Sequence, residues 1–192
     1  MLQCPVYLGW IMASAEWKKV IGNISLSDIE KNWGIKMLKI FQPDSTIKTK
    51  QWTNDFAEES FHLLVNNLGH EIPLIDTTTT TKQIIKRPIT IGNKICIPDL
   101  ETNKTIYEVK ARSYTTPGTI GDKLMGAAFK YIHIPKFTGK PVIIVAFGFQ
   151  EEEAKNGLHI LGNTDESQQK LLTILKDQFS VTFMGASSFI KN

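Results

Sequence analysis

The segment that most constrains the fold is the stretch VIIVAFGF at residues 142–149. A nearly continuous apolar run of this length is typical of a strand that is buried on both faces of a sheet. Such a strand needs helices packed on both sides, and helices are predicted over 53–69, 119–132, 151–155 and 166–179. The chain is therefore expected to have an α/β fold in which one mixed sheet lies between layers of helices.

Length and composition are those of an ordinary globular domain. The chain has 192 residues, of which 42% are hydrophobic and 21% are charged. A chain of this length can bury its own core without disulfide bonds, so residues 1–192 are predicted to form one domain. Met12 offers an alternative start, which would make residues 1–11 an N-terminal extension.

Several classes of protein lack their sequence signatures here. The two cysteines, Cys4 and Cys96, are far apart and the four histidines show no paired ligand spacing, so neither a disulfide framework nor a zinc enzyme is expected. No apolar run approaches about 18 residues, and the apolar start over 1–12 lacks the basic leading segment of a signal peptide. We therefore expect no membrane partner and a cytoplasmic location. The net charge of +3 permits a nucleic-acid partner without arguing for one.

A β-hairpin is predicted over residues 93–113, with its turn at 101–104. The apolar residues of its two strands are Ile95, Ile97 and Leu100, followed by Ile106, Tyr107 and Val109. Cys96, between two of these residues, is expected to be a buried apolar filler. Further short strands are predicted over 72–76, 158–161 and 181–184.

The chemistry-bearing residues of this hairpin are Asp99 and the run Glu108-Val109-Lys110, with eight residues between the two acids. Side chains alternate across a strand, so Glu108 and Lys110 share one face, and the turn brings Asp99 nearly opposite Glu108 at about 5 Å between Cβ atoms. Two carboxylates this close repel unless a cation intervenes, and Mg²⁺ binds through one or two carboxylates plus waters and phosphate oxygens. The spacing therefore predicts a Mg²⁺ site at Asp99 and Glu108, to which the Val109 carbonyl could add a ligand. Lys110 would hold the attacking water in metal-assisted phosphodiester hydrolysis.

This arrangement resembles the PD-(D/E)xK nuclease superfamily, on the residues Pro98, Asp99, Glu108 and Lys110. The resemblance covers about residues 50–150, which would form the catalytic core. It implies a restriction-endonuclease-like fold with the element order αβββαβ, in which a central mixed β-sheet is flanked by helices.

Within the superfamily, the stretch from Tyr107 to Lys123 is similar to that of type II restriction endonucleases. This similarity implies a Mg²⁺-dependent enzyme that cuts double-stranded DNA at a short palindrome and works as a homodimer. In such nucleases the preceding helix often supplies a further metal-ligand glutamate. At 100° per residue Glu58 lies at the edge of the buried face of that helix, whereas Glu59 points away, so Glu58 is the better match.

Contacts to DNA are predicted in the stretch after the catalytic strand. Hydroxyls, backbone N–H groups, basic residues and a helix start are suited to phosphate binding. The predicted DNA-binding residues are Arg112, Tyr114, Thr115, Thr116 and Lys123, and Lys130 could extend this surface.

Other interpretations of the same residues stay open at the level of sequence. Pro98-Asp99 could simply form a turn, and Glu108 and Lys110 could lie on a solvated strand face. If the fold is that of a nuclease, the chain could instead be a structure-selective enzyme of DNA repair or junction resolution. A non-catalytic DNA-binding module is the third alternative.

Overall fold

A computed structural model describes the predicted hairpin and most of the chain on its C-terminal side. The described residues are 57–58, 61–62, 64–65, 75–76, 83–84, 86–111, 120–156, 160–162 and 164–189. They include the acidic residues of the hairpin and the apolar run that is predicted to be a buried strand.

The described elements alternate between strands and helices after the hairpin. The strands are β1 (Ile75–Asp76), β2 (Gln83–Ile84), β3 (Ile89–Ile91), β4 (Lys94–Cys96), β5 (Leu100–Glu101), β6 (Ile106–Lys110), β7 (Val142–Ala146) and β8 (Val181–Gly185). The helices are α1 (Ile120–Tyr131), α2 (Ile134–Thr138), α3 (Phe149–Asn156) and α4 (Glu166–Phe179), and a 3₁₀ helix lies at Ala186–Phe189. Residues 57–58, 61–62 and 64–65 are also helical and are called the N-terminal helical segment.

A four-stranded mixed sheet with the order β5-β6-β7-β8 forms the centre. β5 is antiparallel to β6, whereas β6 pairs in parallel with β7, and β7 in parallel with β8. Each parallel pair is joined by a helical crossover, as parallel strands require. The expected mixed sheet flanked by helices is thus confirmed.

The two faces of the sheet pack against different helices. Leu100, Tyr107 and Val109 face a core that includes residues of the N-terminal helical segment, such as Phe61 and Leu64. On the opposite face, strand residues pack against α1; this second core includes Ile106, Val142, Ile144, Leu124, Ala127, Ala128 and Tyr131. The alternation along β6 therefore directs Glu108 and Lys110 towards the α1 side.

Helix boundaries depend on local capping chemistry. In α4, which has the predicted bounds, the Asp165 side chain accepts a hydrogen bond from the Gln168 backbone N–H at 2.8 Å, and the Gln168 side chain accepts one from the Asp165 N–H. This reciprocal capping box satisfies amide groups that the first helical turn leaves without partners. Ser180 ends the helix in a left-handed conformation with φ of 53°.

The predicted first strand of the hairpin is wrong in its extent. β4 ends at Cys96 and pairs with β3, whereas β5 begins at Leu100 and pairs with β6. Pro98 lies between them, and because proline lacks an amide proton it cannot continue a hydrogen-bonded ladder. Ile95 and Ile97 are 65% and 49% exposed, so they do not enter the core, while Cys96 is buried as expected.

Two smaller differences concern loops. The hairpin turn begins one residue later than predicted, since Glu101 pairs with Ile106 and the Thr102 N–H donates to the Thr105 carbonyl at 2.9 Å. Residues 160–162 form bends, so the strand predicted over 158–161 is wrong in its described part.

None of the described helices combines the length and apolarity that crossing a membrane requires.

Candidate functional site

The antiparallel register of β5 and β6 places Asp99 beside Glu108. Leu100 lies opposite Tyr107. Because the two strands are antiparallel, Asp99, which precedes Leu100, lies opposite Glu108, which follows Tyr107. The Val109 backbone N–H donates a hydrogen bond of 2.7 Å to Oδ2 of Asp99. Asp99 is 9% exposed and Glu108 is 4% exposed, so both acidic residues are largely shielded from solvent.

The Glu108 carboxylate is held through both of its oxygens. Lys110 Nζ donates to Oε1 at 2.6 Å, and the Tyr131 hydroxyl lies 2.5 Å from Oε2. Lys130 Nζ approaches Oε1 more loosely, at 3.7 Å. The predicted sharing of one face by Glu108 and Lys110 is therefore confirmed, and the Val109 carbonyl accepts a further bond of 3.2 Å from the same Lys110 ammonium.

A second group of side chains borders Asp99: Glu58 and His62 from the N-terminal helical segment, and Lys86 from the residues after β2. The Lys86 ammonium donates to Oε2 of Glu58 and lies 3.9 Å from Oδ1 of Asp99. The His62 Nε2 lies 2.7 Å from the Asp99 backbone carbonyl. Burial lowers the pKa of His62, so the ring is neutral at pH 7 and donates the Nε2 proton to that carbonyl.

The charges around Asp99 disfavour its ionised form. Burial is the largest cause, followed by the negative charges of Glu108 and Glu58, and together they raise the pKa of Asp99 to about 7. The Lys110 ammonium and the Val109 N–H act in the opposite direction. A divalent cation beside Asp99 would relieve this repulsion, and its binding would favour the ionised carboxylate.

The donor set fits a hard cation better than a soft one. Asp99 and Glu108 offer carboxylate oxygens, and Mg²⁺ characteristically takes one or two carboxylates and completes its coordination with waters and phosphate oxygens. Among the described residues, no group of three or more His, Cys, Asp and Glu side chains lies close enough to hold a metal by itself. The residues present therefore suit a cation that is shared with substrate, not one enclosed by protein.

Tyr131 also contacts this site, through Glu108, although the sequence pattern does not predict it as a site residue. The helical spacing predicts only that it points inward, and it is fully buried there. Burial and the adjacent Glu108 carboxylate raise the pKa of Tyr131, so its hydroxyl keeps its proton and can donate. A buried tyrosine hydroxyl requires a polar partner, and this requirement is the sequence signal that could have found it.

Another buried carboxylate, that of Glu101, lies two residues after Asp99 in the chain. Glu101 accepts two hydrogen bonds from Arg87, at 3.1 and 2.7 Å, and one of 2.8 Å from Lys140 Nζ. Its side chain has no exposed surface, so its charge is neutralised within the protein.

The predicted site residues are therefore only partly gathered by the structure. Asp99, Glu108 and Lys110 lie together, and Glu58 reaches Asp99 through the shared Lys86 ammonium. Lys123 lies within α1, partly exposed. The remaining predicted DNA-binding residues, Arg112, Tyr114, Thr115 and Thr116, lie outside the described residues, as does Glu59.

Comparisons of the chain with protein-family models, with curated proteins and with solved structures found no match.

Proposed function

We propose that the chain is a Mg²⁺-dependent endonuclease that hydrolyses phosphodiester bonds of double-stranded DNA, and specifically a type II site-specific restriction endonuclease. The observation that supports this most strongly is the meeting of Asp99, Glu108 and Lys110 where β5 and β6 lie side by side. Two carboxylates and one ammonium at one place are the groups that metal-assisted phosphodiester hydrolysis needs.

The order of elements supports a restriction-endonuclease-like core. The antiparallel pair β5-β6 carries the acidic residues, α1 comes next, and β7 returns parallel to β6. With the N-terminal helical segment on the other face, this order matches the last two strands before the helix, the helix and the final strand of the αβββαβ arrangement that the resemblance implies, whereas β3 and β4 pair with each other in a separate sheet.

Each residue has a role that its contacts suggest. Asp99 and Glu108 would hold Mg²⁺, with the Val109 carbonyl as an additional ligand, while Glu58 would border the site through the Lys86 ammonium that it shares with Asp99. When bound, the cation supplies Lewis-acid stabilisation of the negative charge that develops on the phosphate. The Lys110 ammonium, already fixed by Glu108 at 2.6 Å, would orient the attacking water and balance charge on the phosphate.

The substrate contacts and the assembly belong to the same proposal. Lys123 would contact the DNA backbone, together with Arg112, Tyr114, Thr115 and Thr116. A palindromic site implies a two-fold homodimer, because the symmetry of the protein mirrors that of the DNA.

The proposal is tested by digesting a long phage DNA with the wild-type protein and two matched variants. Asp99→Asn keeps an oxygen that can accept the Val109 hydrogen bond but removes the charge, whereas Asp177→Asn alters an exposed acid on α4. We expect cleavage to fall at least about a thousandfold in Asp99→Asn, as when a member of a catalytic constellation is lost, and to persist in Asp177→Asn. DNA binding, measured by gel shift in EDTA, should survive in both.

The pattern of fragments decides between the candidate activities. Discrete bands that need Mg²⁺ and vanish with EDTA support a site-specific enzyme. Cleavage of branched DNA in preference to linear duplex would replace that conclusion with a structure-selective nuclease. Full cleavage by Asp99→Asn would contradict the proposed site itself.

A further inference from the structure

Tyr131 joins the two chain segments that carry the acidic residues. Its hydroxyl lies 2.5 Å from Oε2 of Glu108 on β6 and 2.9 Å from the carbonyl oxygen of Ile97, two residues before Asp99. Lys130 Nζ donates to the same hydroxyl at 3.1 Å. A hydroxyl has one proton to donate, and the contact with the charged Glu108 carboxylate is the shorter of the two, so Glu108 receives the proton.

The ring of Tyr131 is held too firmly for the hydroxyl to move independently. The side chain is fully buried at the end of α1, in the core that also contains Leu124, Ala127 and Ala128. The Lys130 ammonium also lies 4.7 Å from the ring centroid. A polar group carried by a rigid helix can fix a partner side chain more closely than a loop residue can.

Glu108 is consequently restrained from two directions. Lys110 binds Oε1 at 2.6 Å and the Tyr131 hydroxyl binds Oε2. A carboxylate has about four acceptor positions, so these two bonds set the plane of the group and leave acceptor positions for a cation.

We propose that Tyr131 is a positioning residue that orients the Glu108 carboxylate for binding a divalent cation, an inference that rests on the function proposed above. Partners that hydrogen-bond to a ligand carboxylate orient it and increase metal affinity. Tyr131 acts through Glu108 and touches neither substrate nor cation.

The test compares Tyr131→Phe with Tyr107→Phe. Each variant loses one hydroxyl from a buried tyrosine ring, but Tyr107 packs on the opposite face of the sheet, against Phe61 and Phe189. Mn²⁺ binding to each full-length protein is measured by calorimetry, and the Mg²⁺ concentration that gives half-maximal cleavage is measured alongside maximal cleavage. We expect Tyr131→Phe to weaken Mn²⁺ binding about tenfold or more, and Tyr107→Phe to leave it within about twofold of wild type. The half-saturating Mg²⁺ concentration should rise with the loss of affinity, while cleavage at saturating Mg²⁺ falls much less.

A second measurement needs only the wild-type protein and so does not depend on how the variant folds. With ¹³C at Cζ of the four tyrosines, adding Mg²⁺ should shift the Tyr131 resonance, because its hydroxyl bonds a ligand carboxylate. The Tyr107 resonance should not move.

The outcomes separate this inference from the proposed function. Equal Mn²⁺ affinity of both variants, with an unmoved Tyr131 resonance, would overturn the role of Tyr131 even if the wild type cuts DNA. Weakened binding in Tyr131→Phe without any DNA cleavage by the wild type would support the role and refute the nuclease. No metal binding by the wild type would refute both.

Discussion

Glu101 and Asp99 lie two residues apart, and both are buried, but only Glu101 accepts hydrogen bonds from positively charged side chains. Glu101 receives three hydrogen bonds from the cationic groups of Arg87 and Lys140. Asp99 instead accepts its hydrogen bond from a neutral backbone N–H, and the nearest ammonium among the described residues is that of Lys86, 3.9 Å away. Glu108, its neighbour across the strands, adds a second negative charge.

From this difference we infer that Glu101 is a structural acid, whereas Asp99 is available for another cation. Glu151 repeats the structural pattern, since Lys155 donates to it at 2.5 Å and the Ser187 backbone N–H at 3.0 Å. Glu101, whose carboxylate is enclosed by Arg87 and Lys140, is expected to contribute to folding and to gain little from a metal. A carboxylate whose pKa is raised to about 7 by burial and by neighbouring carboxylates is instead stabilised when a cation arrives.

The largest expected effect is on the structural side of the comparison. Glu101→Gln removes the buried charge that Arg87 and Lys140 neutralise; Arg87 is solvated, but the largely buried Lys140 ammonium loses its carboxylate, which costs about 3 kcal/mol. We expect the free energy of unfolding in urea to fall by that amount. Mn²⁺ affinity should stay within about twofold of wild type, and a larger loss of affinity would remove the distinction between the two acids.

Asp99→Asn should have the opposite effect on stability. The pKa of Asp99 is higher in the folded protein than in the unfolded chain, so the unfolded state binds fewer protons and the stability of the metal-free protein falls as pH rises from about 4 to about 7. The substitution removes this loss while keeping an acceptor for the Val109 N–H. A rise from about 4 to about 7 corresponds to roughly 4 kcal/mol at most, and because the site can relax around the ionised carboxylate we expect about half of it, so that at about pH 8 in EDTA the variant is more stable by about 2 kcal/mol.

The pH dependence provides the control for this prediction. The advantage of Asp99→Asn should vanish near about pH 4, grow towards about pH 7 and stay constant above it, in urea unfolding curves recorded without metal. An advantage of equal size at both ends of this range would show that the Asp99 charge is not its cause.

How much of this site can be predicted from sequence depends on how far apart the interacting residues are. Strand alternation and a short turn are local, so the placement of Asp99 opposite Glu108 and the shared face of Glu108 and Lys110 were predictable. The helical spacing that predicts an inward Tyr131 is local as well. What its hydroxyl would meet was not predictable, because Glu108 lies 23 residues earlier in the chain.

The error in the first predicted strand of the hairpin has a local cause that the apolar pattern hides. The apolar Ile95 and Ile97 suggest one continuous strand leading to Leu100, but Pro98 interrupts the ladder and the two isoleucines remain largely exposed. The roles of Lys86 and His62 depend on contacts across 28 and 37 residues respectively, and no local pattern encodes such contacts.

The smallest expected effect concerns the ammonium that Glu58 and Asp99 share. Lys86→Met removes a positive charge 3.9 Å from a predicted metal ligand, so metal should bind more tightly. Because the lysine is partly solvated, the gain is about 0.5 kcal/mol, or roughly two- to threefold in Mn²⁺ affinity. Lys170→Met, which alters an exposed lysine on α4 paired with Glu166, is the matched variant and should leave the affinity unchanged. Weaker binding in Lys86→Met would show that the ammonium supports the site and does not compete with metal.

The most direct measurement is anomalous diffraction from crystals of the protein soaked in Mn²⁺. We predict a peak between the carboxylates of Asp99 and Glu108, about 2.1 Å from one oxygen of each, and no peak at Glu101. Crystals that show Mn²⁺ elsewhere, with Asp99 and Glu108 still bonded only to protein groups, would contradict the claim that these two acids form a metal site.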